Sequence, residues 1–472
     1  MLFPSFAFLV FLPLVYLLYW YVFNRGLRLQ NTFVLFASYV FYGWWDWRFL
    51  GLLFFSSFTD FLLALAIDRS PTQRRKKTWV VVSLVVNLGV LGLFKYFNFF
   101  RDGLVDLMLG MGMQPDLPTL QLLLPVGISF YTFQSLSYTI DIYRGQIKAT
   151  RDPLEFLAFV SFFPQLVAGP IERARDLLPQ FQVPRHFDRQ KATDGLRQML
   201  WGFFKKLVIA DGCAPLVDEI FNGDLETTAG ATLFFGAFFF AFQIYGDFSG
   251  YSDIAIGCAR LFGFELSRNF AYPYFSRSIS EFWRRWHISL STWFRDYVYM
   301  PLGGWRSKWG RLRNILITFS VSGFWHGANW TFINWGLLHG VYYVPEVLAN
   351  GKARRDRATL RDLPAILVTF LLVVLAWIFF RATTMGKAVD HLRYMVINAF
   401  QHPGIALVWM WHPVSSFIAL LVIVEWFARD RNHPLERLPT NSYLRWAIYI
   451  ALALAMLVRM DMHTHEFIYF QF

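Results

Sequence analysis

Long stretches of the chain carry no Asp, Glu, Lys or Arg, and short charged clusters separate them. The uncharged stretches are 1–24, 117–140, 227–246, 314–345, 363–380 and 394–424, with shorter apolar runs at 78–94 and 156–171. About 20 apolar residues in a helix cross a bilayer core about 30 Å thick. The pattern predicts an all-α polytopic membrane protein, with roughly eleven to thirteen transmembrane or re-entrant helices by this length rule. The first stretch has neither a basic lead-in nor a small-residue cleavage site, and reads as a retained span rather than a signal peptide.

Composition agrees. Of the 472 residues 56% are hydrophobic, 20% aromatic and 16% charged, against about a quarter charged in soluble domains. The net charge of +12 does not indicate nucleic acid, because the basic residues crowd short loops. Arg69, Arg74, Arg75, Lys76 and Lys77 fill one; Lys352, Arg354, Arg355, Arg357 and Arg361 a second; Arg429, Arg431 and Arg437 a third. Short basic loops flanking spans are cytoplasmic by the positive-inside rule. With 69–77 inside and two crossings over 31–67, the start of the chain lies outside. With 429–437 inside and one crossing over 443–460, the segment 461–472 also lies on the outer face. One transmembrane domain over 1–460 and an outer-face tail over 461–472 follow. Cys213 and Cys258 lie in or beside apolar segments and read as buried small hydrophobes.

Two segments carry ionisable groups among apolar residues. In 282–297, Trp283, Trp286, His287, Leu290, Phe294 and Tyr297 recur at helical steps, so one helix with an aromatic face is expected. Its arginines, Arg284, Arg285 and Arg295, suit either an interfacial helix or a site, whereas His287 lies on the apolar face. The second segment is Ser322-Gly-Phe-Trp-His-Gly-Ala-Asn-Trp330. A single helix over 314–345 would be about 48 Å long, more than a membrane needs, and basic residues lie beyond both ends. Two segments meeting near Gly327 are expected, with His326 about 18 Å of helix from the cytoplasmic end. An imidazole at that depth is a functional group by default, the alternative being a hydrogen bond inside the bundle. His339 points away from His326 if the helix continues and reads as structural.

These strings resemble the membrane-bound O-acyltransferase family, in its branch that modifies bacterial polysaccharides such as alginate and peptidoglycan. The resemblance is carried by Tyr42-Gly-Trp-Trp45, Leu124-Pro-Val-Gly-Ile-Ser-Phe-Tyr-Thr-Phe133, Phe163-Pro-Gln-Leu-Val-Ala-Gly-Pro170 and Tyr245-Gly-Asp-Phe-Ser-Gly-Tyr-Ser-Asp253. It continues through 282–302, the Trp-His-Gly-Ala-Asn string and the closing Phe467-Ile-Tyr-Phe-Gln-Phe472. It implies a ring of helices around a central tunnel in the bacterial inner membrane, with His326 catalytic and His287 a second active-site histidine. It also implies acetyl-coenzyme A or an acyl-carrier thioester as donor, no permanently bound cofactor, a periplasmic SGNH-type acetyltransferase as partner and a polysaccharide as final acceptor.

A neutral imidazole takes a proton from an oxygen as that oxygen attacks a thioester carbonyl. The oxyanion then needs a donor, for which the Trp325 or Trp286 indole, the Asn329 amide and His287 are candidates. Asp247 and Asp253 belong to the resembling strings; Asp247 is a substrate-binding candidate, though pairing with Arg284 or Arg285 is the preferred reading. The F-x-Y-x-x-F pattern of 467–472 resembles the acyl-accepting tail of the small partner peptide in teichoic-acid D-alanylation. That makes Tyr469 a candidate acyl carrier, the alternative being an aromatic interfacial anchor. His463 and His465 form only an H-x-H, too little for a metal site. A transporter or flippase using the same histidines remains the other class, but the paired broken halves usual for transporters are not seen.

Overall fold

The computed structural model describes residues 1–167, 169–304, 307–349, 357–402, 404–459 and 467–468. Among them the regular structure is helical throughout. The longer helices open with α1 (Phe6–Leu17), α2 (Leu27–Gly43), α3 (Arg48–Arg69), α4 (Gln73–Leu91), α5 (Phe97–Gly110), α6 (Ile128–Tyr143) and α7 (Pro153–Ser161). Then follow α8 (Arg189–Phe204), α9 (Asp211–Asn222), α10 (Gly230–Leu261), α11 (Ile279–Arg285) and α12 (Ile288–Phe294). The series ends with α13 (Lys308–His326), α14 (Trp330–Leu348), α15 (Leu363–Arg381), α16 (Met385–Ile397), α17 (Pro413–Ala428) and α18 (Ser442–Arg459).

Five helical segments among the described residues are long and apolar enough to cross a membrane: Arg48–Arg69, Gln73–Gly110, Gly230–Leu261, Leu360–Arg381 and Ser442–Arg459. Large apolar side chains also face outward, among them Phe6 at 81% and Phe427 at 72% exposure. A water-facing surface avoids such side chains, whereas a lipid-facing one requires them. The protein is an all-helical, polytopic membrane protein.

The chain divides into two compact units, Met1–Ala192 with Ala259–Leu266, and Thr193–Cys258 with Ser267–Phe472. In the first, α3, α4 and α6 pack together around Asp60, buried midway along α3. Its carboxyl group accepts from the Ser83 hydroxyl at 2.7 Å and from the Asn87 amide at 2.8 and 2.9 Å. Such bonds satisfy an intramembrane polar group within the bundle. The uncharged stretch 117–140 is helical only from Ile128, because Pro118, Pro125 and Gly127 interrupt it. Gly127 has φ +76°, and a Cβ there would lie 2.5 Å from the Leu166 carbonyl oxygen.

The second unit is organised by α10, a helix of 32 residues. Gly246, Gly250 and Gly257 line one of its sides, where an added Cβ would fall 2.8, 2.8 and 2.3 Å from the carbonyl oxygens of Lys205, Gly202 and Gly195. Small residues at such spacing let two membrane helices approach to backbone contact. The stripe thus presses α8 and the π-helical turn that follows it, Lys205–Ala210, against α10.

The uncharged stretch 314–345 folds as a hairpin of α13 and α14, broken at Gly327 as its length requires. Asn329 caps α14 by accepting a hydrogen bond from the Thr331 amide at 3.0 Å. A Cβ at Gly336 would meet the Phe319 carbonyl oxygen at 2.1 Å, so the two arms touch through their backbones.

The expected continuous helix over 282–297 is not formed. It breaks at Trp286–His287 into α11 and α12, with His287 at φ 43°, ψ 56°. The cause is the neighbouring segment 269–271, which takes over the backbone bonds. The Ala271 amide donates to the Arg285 carbonyl at 2.9 Å, and the Ile288 amide to the Asn269 carbonyl at 2.9 Å. Left-handed backbone at a bulky residue costs energy and is held only where surrounding structure imposes it, as at functional sites.

Candidate active site

His326 ends α13, next to the hairpin break, and is 3% exposed. Trp325 lies edge-on to it with ring centroids 4.9 Å apart, Trp335 at 5.0 Å and Phe380 at 5.5 Å. The imidazole is thus walled by aromatic rings at a helix terminus. His287 is fully buried, and its ring lies 6.4 Å from that of Trp325. The Trp325 indole therefore contacts both imidazoles, and the fold assembles His287, Trp325 and His326 from 40 residues of sequence.

Asn269 determines which nitrogen of His287 carries its proton. Its Oδ1 accepts from the Ser289 amide at 3.3 Å and the Ser289 hydroxyl at 3.0 Å, which identifies that atom as the oxygen. His287 Nδ1 lies 3.1 Å from the same oxygen. An amide oxygen only accepts, so Nδ1 carries the hydrogen and the neutral ring's lone pair is on Nε2. A neutral His287 so held offers no second N–H to an oxyanion. Asn269→Leu is expected to lower acyl transfer about tenfold to a hundredfold, the scale of a misplaced reacting group. Steady-state transfer and thermal unfolding measured side by side would show the rate falling in folded protein.

Trp286 joins the same aromatic body less directly. It lies 5.1 Å from Trp377, which stacks on Trp335 at 5.5 Å, so two rings separate it from His326. Asn329 is engaged as a cap, and its amide nitrogen donates to the Thr383 carbonyl at 3.1 Å. The helix does not continue through Gly327, and His339 lies on the second arm of the hairpin. It contacts Trp335 at 5.1 Å and accepts from the Trp283 indole at 3.3 Å, so Trp335 touches both His326 and His339. Cys213 and Cys258 are buried thiols, as expected.

Asp247 pairs with a lysine, not with Arg284 or Arg285. Arg284 is exposed, and Arg285 pairs with Glu281 at 2.6 Å. Lys206 Nζ lies 2.8 Å from Asp247 Oδ1 and 2.8 Å from Asp211. Lys205, adjacent, pairs with Asp253 at 2.6 Å and donates to the Ser249 hydroxyl at 2.8 Å. The physical reason is the glycine stripe of α10, which brings the π-turn within reach of both aspartates. π-Turns of this kind recur at functional sites.

The segment 467–468 docks here. Phe467 and Ile468 are buried, and the Ile468 amide donates to Asp247 Oδ2 at 2.7 Å. The Phe467 ring lies 4.6 Å from Tyr251 and 5.8 Å from Phe248, and Phe248 lies edge-on to His287 at 4.5 Å. One aromatic ring therefore separates the docked segment from His287. Tyr469, His463 and His465 lie outside the described residues.

Lys206 and Asn269 were not legible as site residues. Two adjacent lysines following Phe203-Phe204 are a signal in an apolar run, whereas Asn269 has no local mark at all.

The model of the family described as MBOAT, membrane-bound O-acyltransferase, matches residues 41–351. A protein of Azotobacter vinelandii named "Probable alginate O-acetylase" is 45% identical over 394 residues, covering 82% of this chain and 76% of that one. The "Peptidoglycan O-acetyltransferase" of Helicobacter pylori is 36% identical over 423 residues, 83% of this chain and 79% of that one. A "Teichoic acid D-alanyltransferase" of Streptococcus thermophilus is 31% identical over 286 residues, 54% of this chain and 68% of that one.

Proposed function

Because the chain belongs to the membrane-bound O-acyltransferase family, we propose that it takes an acetyl group from a cytoplasmic thioester and passes it, by way of Tyr469, to an extracytoplasmic polysaccharide of the alginate or peptidoglycan type. The enzyme is an acyltransferase, and the family gives no support to a transporter or flippase. The observation that carries the tyrosine step is the docking of Phe467 and Ile468 one ring from His287.

Acetyl-coenzyme A or an acyl carrier is the donor, reaching the site from the cytoplasm while the protein sits in the bacterial inner membrane with 461–472 outside. His326 takes the phenol proton of Tyr469 as the phenol oxygen attacks the thioester carbonyl. The oxyanion is held by the Trp325 indole N–H, the candidate left when Asn329 serves as a cap, Trp286 lies two rings away and neutral His287 has its N–H on Asn269. The C–S bond then breaks, and His326 returns the proton to the departing sulfur. The product is an acetyl ester of Tyr469 and a free thiol. A phenol with pKa about 10 leaves more readily than a sugar hydroxyl, so the ester stays activated for a periplasmic SGNH-type partner that hands the acetyl to the polymer. Only the acetyl group crosses; the charged donor does not.

The test is mass spectrometry of purified protein incubated with isotopically labelled acetyl-coenzyme A. The expected result is one acetyl mass on the peptide holding Tyr469, absent from His326→Ala and Tyr469→Phe. Donor consumed by the wild type with no labelled peptide would mean direct transfer to the partner.

A further inference from the structure

We infer that Asp247, held by Lys206, is the positioning residue that sets the register of the acceptor segment by gripping its backbone; this rests on the acyl-tyrosine reading above. Two carboxylates converge on one lysine. Lys206 Nζ lies 2.8 Å from Asp211 and 2.8 Å from Asp247, and the Lys206 and Asp247 side chains are each 2% exposed. One ammonium between two carboxylates leaves a net negative charge in a buried place, and a carboxylate there needs further hydrogen-bond donors. Asp247 uses its two oxygens differently. Oδ1 faces the lysine, while Oδ2 accepts the Ile468 amide at 2.7 Å.

The bond is to the main chain, so it reads position rather than side chain. Phe467 supplies the depth stop, seated against Phe248, next to Asp247 on α10, and Tyr251, one helical turn along. Ring and amide together fix two consecutive residues, Phe467 and Ile468, immediately before position 469 in the sequence. A covalent step needs its reacting atoms placed to within about 1 Å, and a misplacement of that size costs up to about a hundredfold in rate. The lysine's part is to hold the Asp247 side chain aimed at the segment. It comes from the π-turn Lys205–Ala210, whose extra residue per turn presents Lys205 and Lys206 side by side to Asp253 and Asp247.

A sharp test lies on the segment itself, where a variant does not disturb the helix bundle. Ile468→Pro removes the N–H, and Ile468→Ala keeps it. With labelled acetyl-coenzyme A and the full-length protein, Ile468→Pro is expected to lose about a hundredfold in the rate of label reaching the Tyr469 peptide, and Ile468→Ala to stay near wild type. The KM for the donor should be unchanged in both, and hydrolysis of the thioester by water should persist in Ile468→Pro. Asp247→Asn, which keeps an acceptor oxygen, should fall between wild type and Asp247→Leu. Wild-type labelling in Ile468→Pro would overturn the inference. Hydrogen exchange of the 467–472 peptide separates this from failure of the relay itself. Faster exchange in Asp247→Leu, with no label on the wild-type segment, would uphold the docking and overturn the tyrosine relay.

Discussion

His326→Gln is expected to abolish acetyl transfer almost entirely, with a loss of about 10²–10⁴-fold, the contribution of a positioned general base. Glutamine is chosen because it retains a polar group of similar reach within the wall of Trp325, Trp335 and Phe380. It cannot accept and return a proton near neutral pH. Consumption of labelled thioester and the midpoint of thermal unfolding should be measured on the same preparation. A fall in the first with little change in the second assigns the loss to chemistry. Transfer within a few-fold of wild type would remove His326 as the base and leave His287, whose Nε2 bears the lone pair, to take the proton.

Tyr469→Phe is expected to remove acetylation of the external acceptor altogether while thioester consumption by water continues. Phenylalanine preserves the aromatic ring, and with it any anchoring of the segment at the interface; only the nucleophilic oxygen is lost. No neighbouring side chain in Phe467-Ile-Tyr-Phe-Gln-Phe472 replaces it, because none of the others carries a hydroxyl. The measurement is acetyl content of the polysaccharide in cells that carry only the variant, together with donor turnover by the purified protein. Normal acetylation with Phe at 469 would reduce the segment to an anchor and make the transfer direct.

These two expectations were within reach of the sequence for different reasons. The expected depth of His326 comes from counting residues between basic loops, since helix rise and bilayer thickness are fixed lengths. The break at Gly327 follows too, because 32 uncharged residues exceed one span. His287 stood out as a candidate on its apolar face, but the break in its backbone did not. Periodicity carried the helix through Trp286–His287, where the bonds from Asn269 and Ala271 divert it. Those bonds reach 14 and 19 residues back along the chain, and no local propensity records them.

Asp247 shows the same boundary. A buried aspartate in a membrane must have a partner, and its type of partner, a cation, was legible. Arginines in 284–285 were nearer candidates by motif than Lys206, yet the glycine stripe of α10 chose the lysine.

What the amino-acid sequence determined by itself was the solvent, the helical class and the family, with the two histidines as candidates. Each of these depends on composition, on segment length or on short strings, all of which are local. What only the tertiary structure decided was which groups meet: Trp325 between two imidazoles, Asn269 setting a tautomer, and Asp247 divided between a lysine and a backbone amide. Close approach of helices at glycines and capture of backbone bonds by distant segments are pairwise events between remote positions. They exist only when the chain is folded.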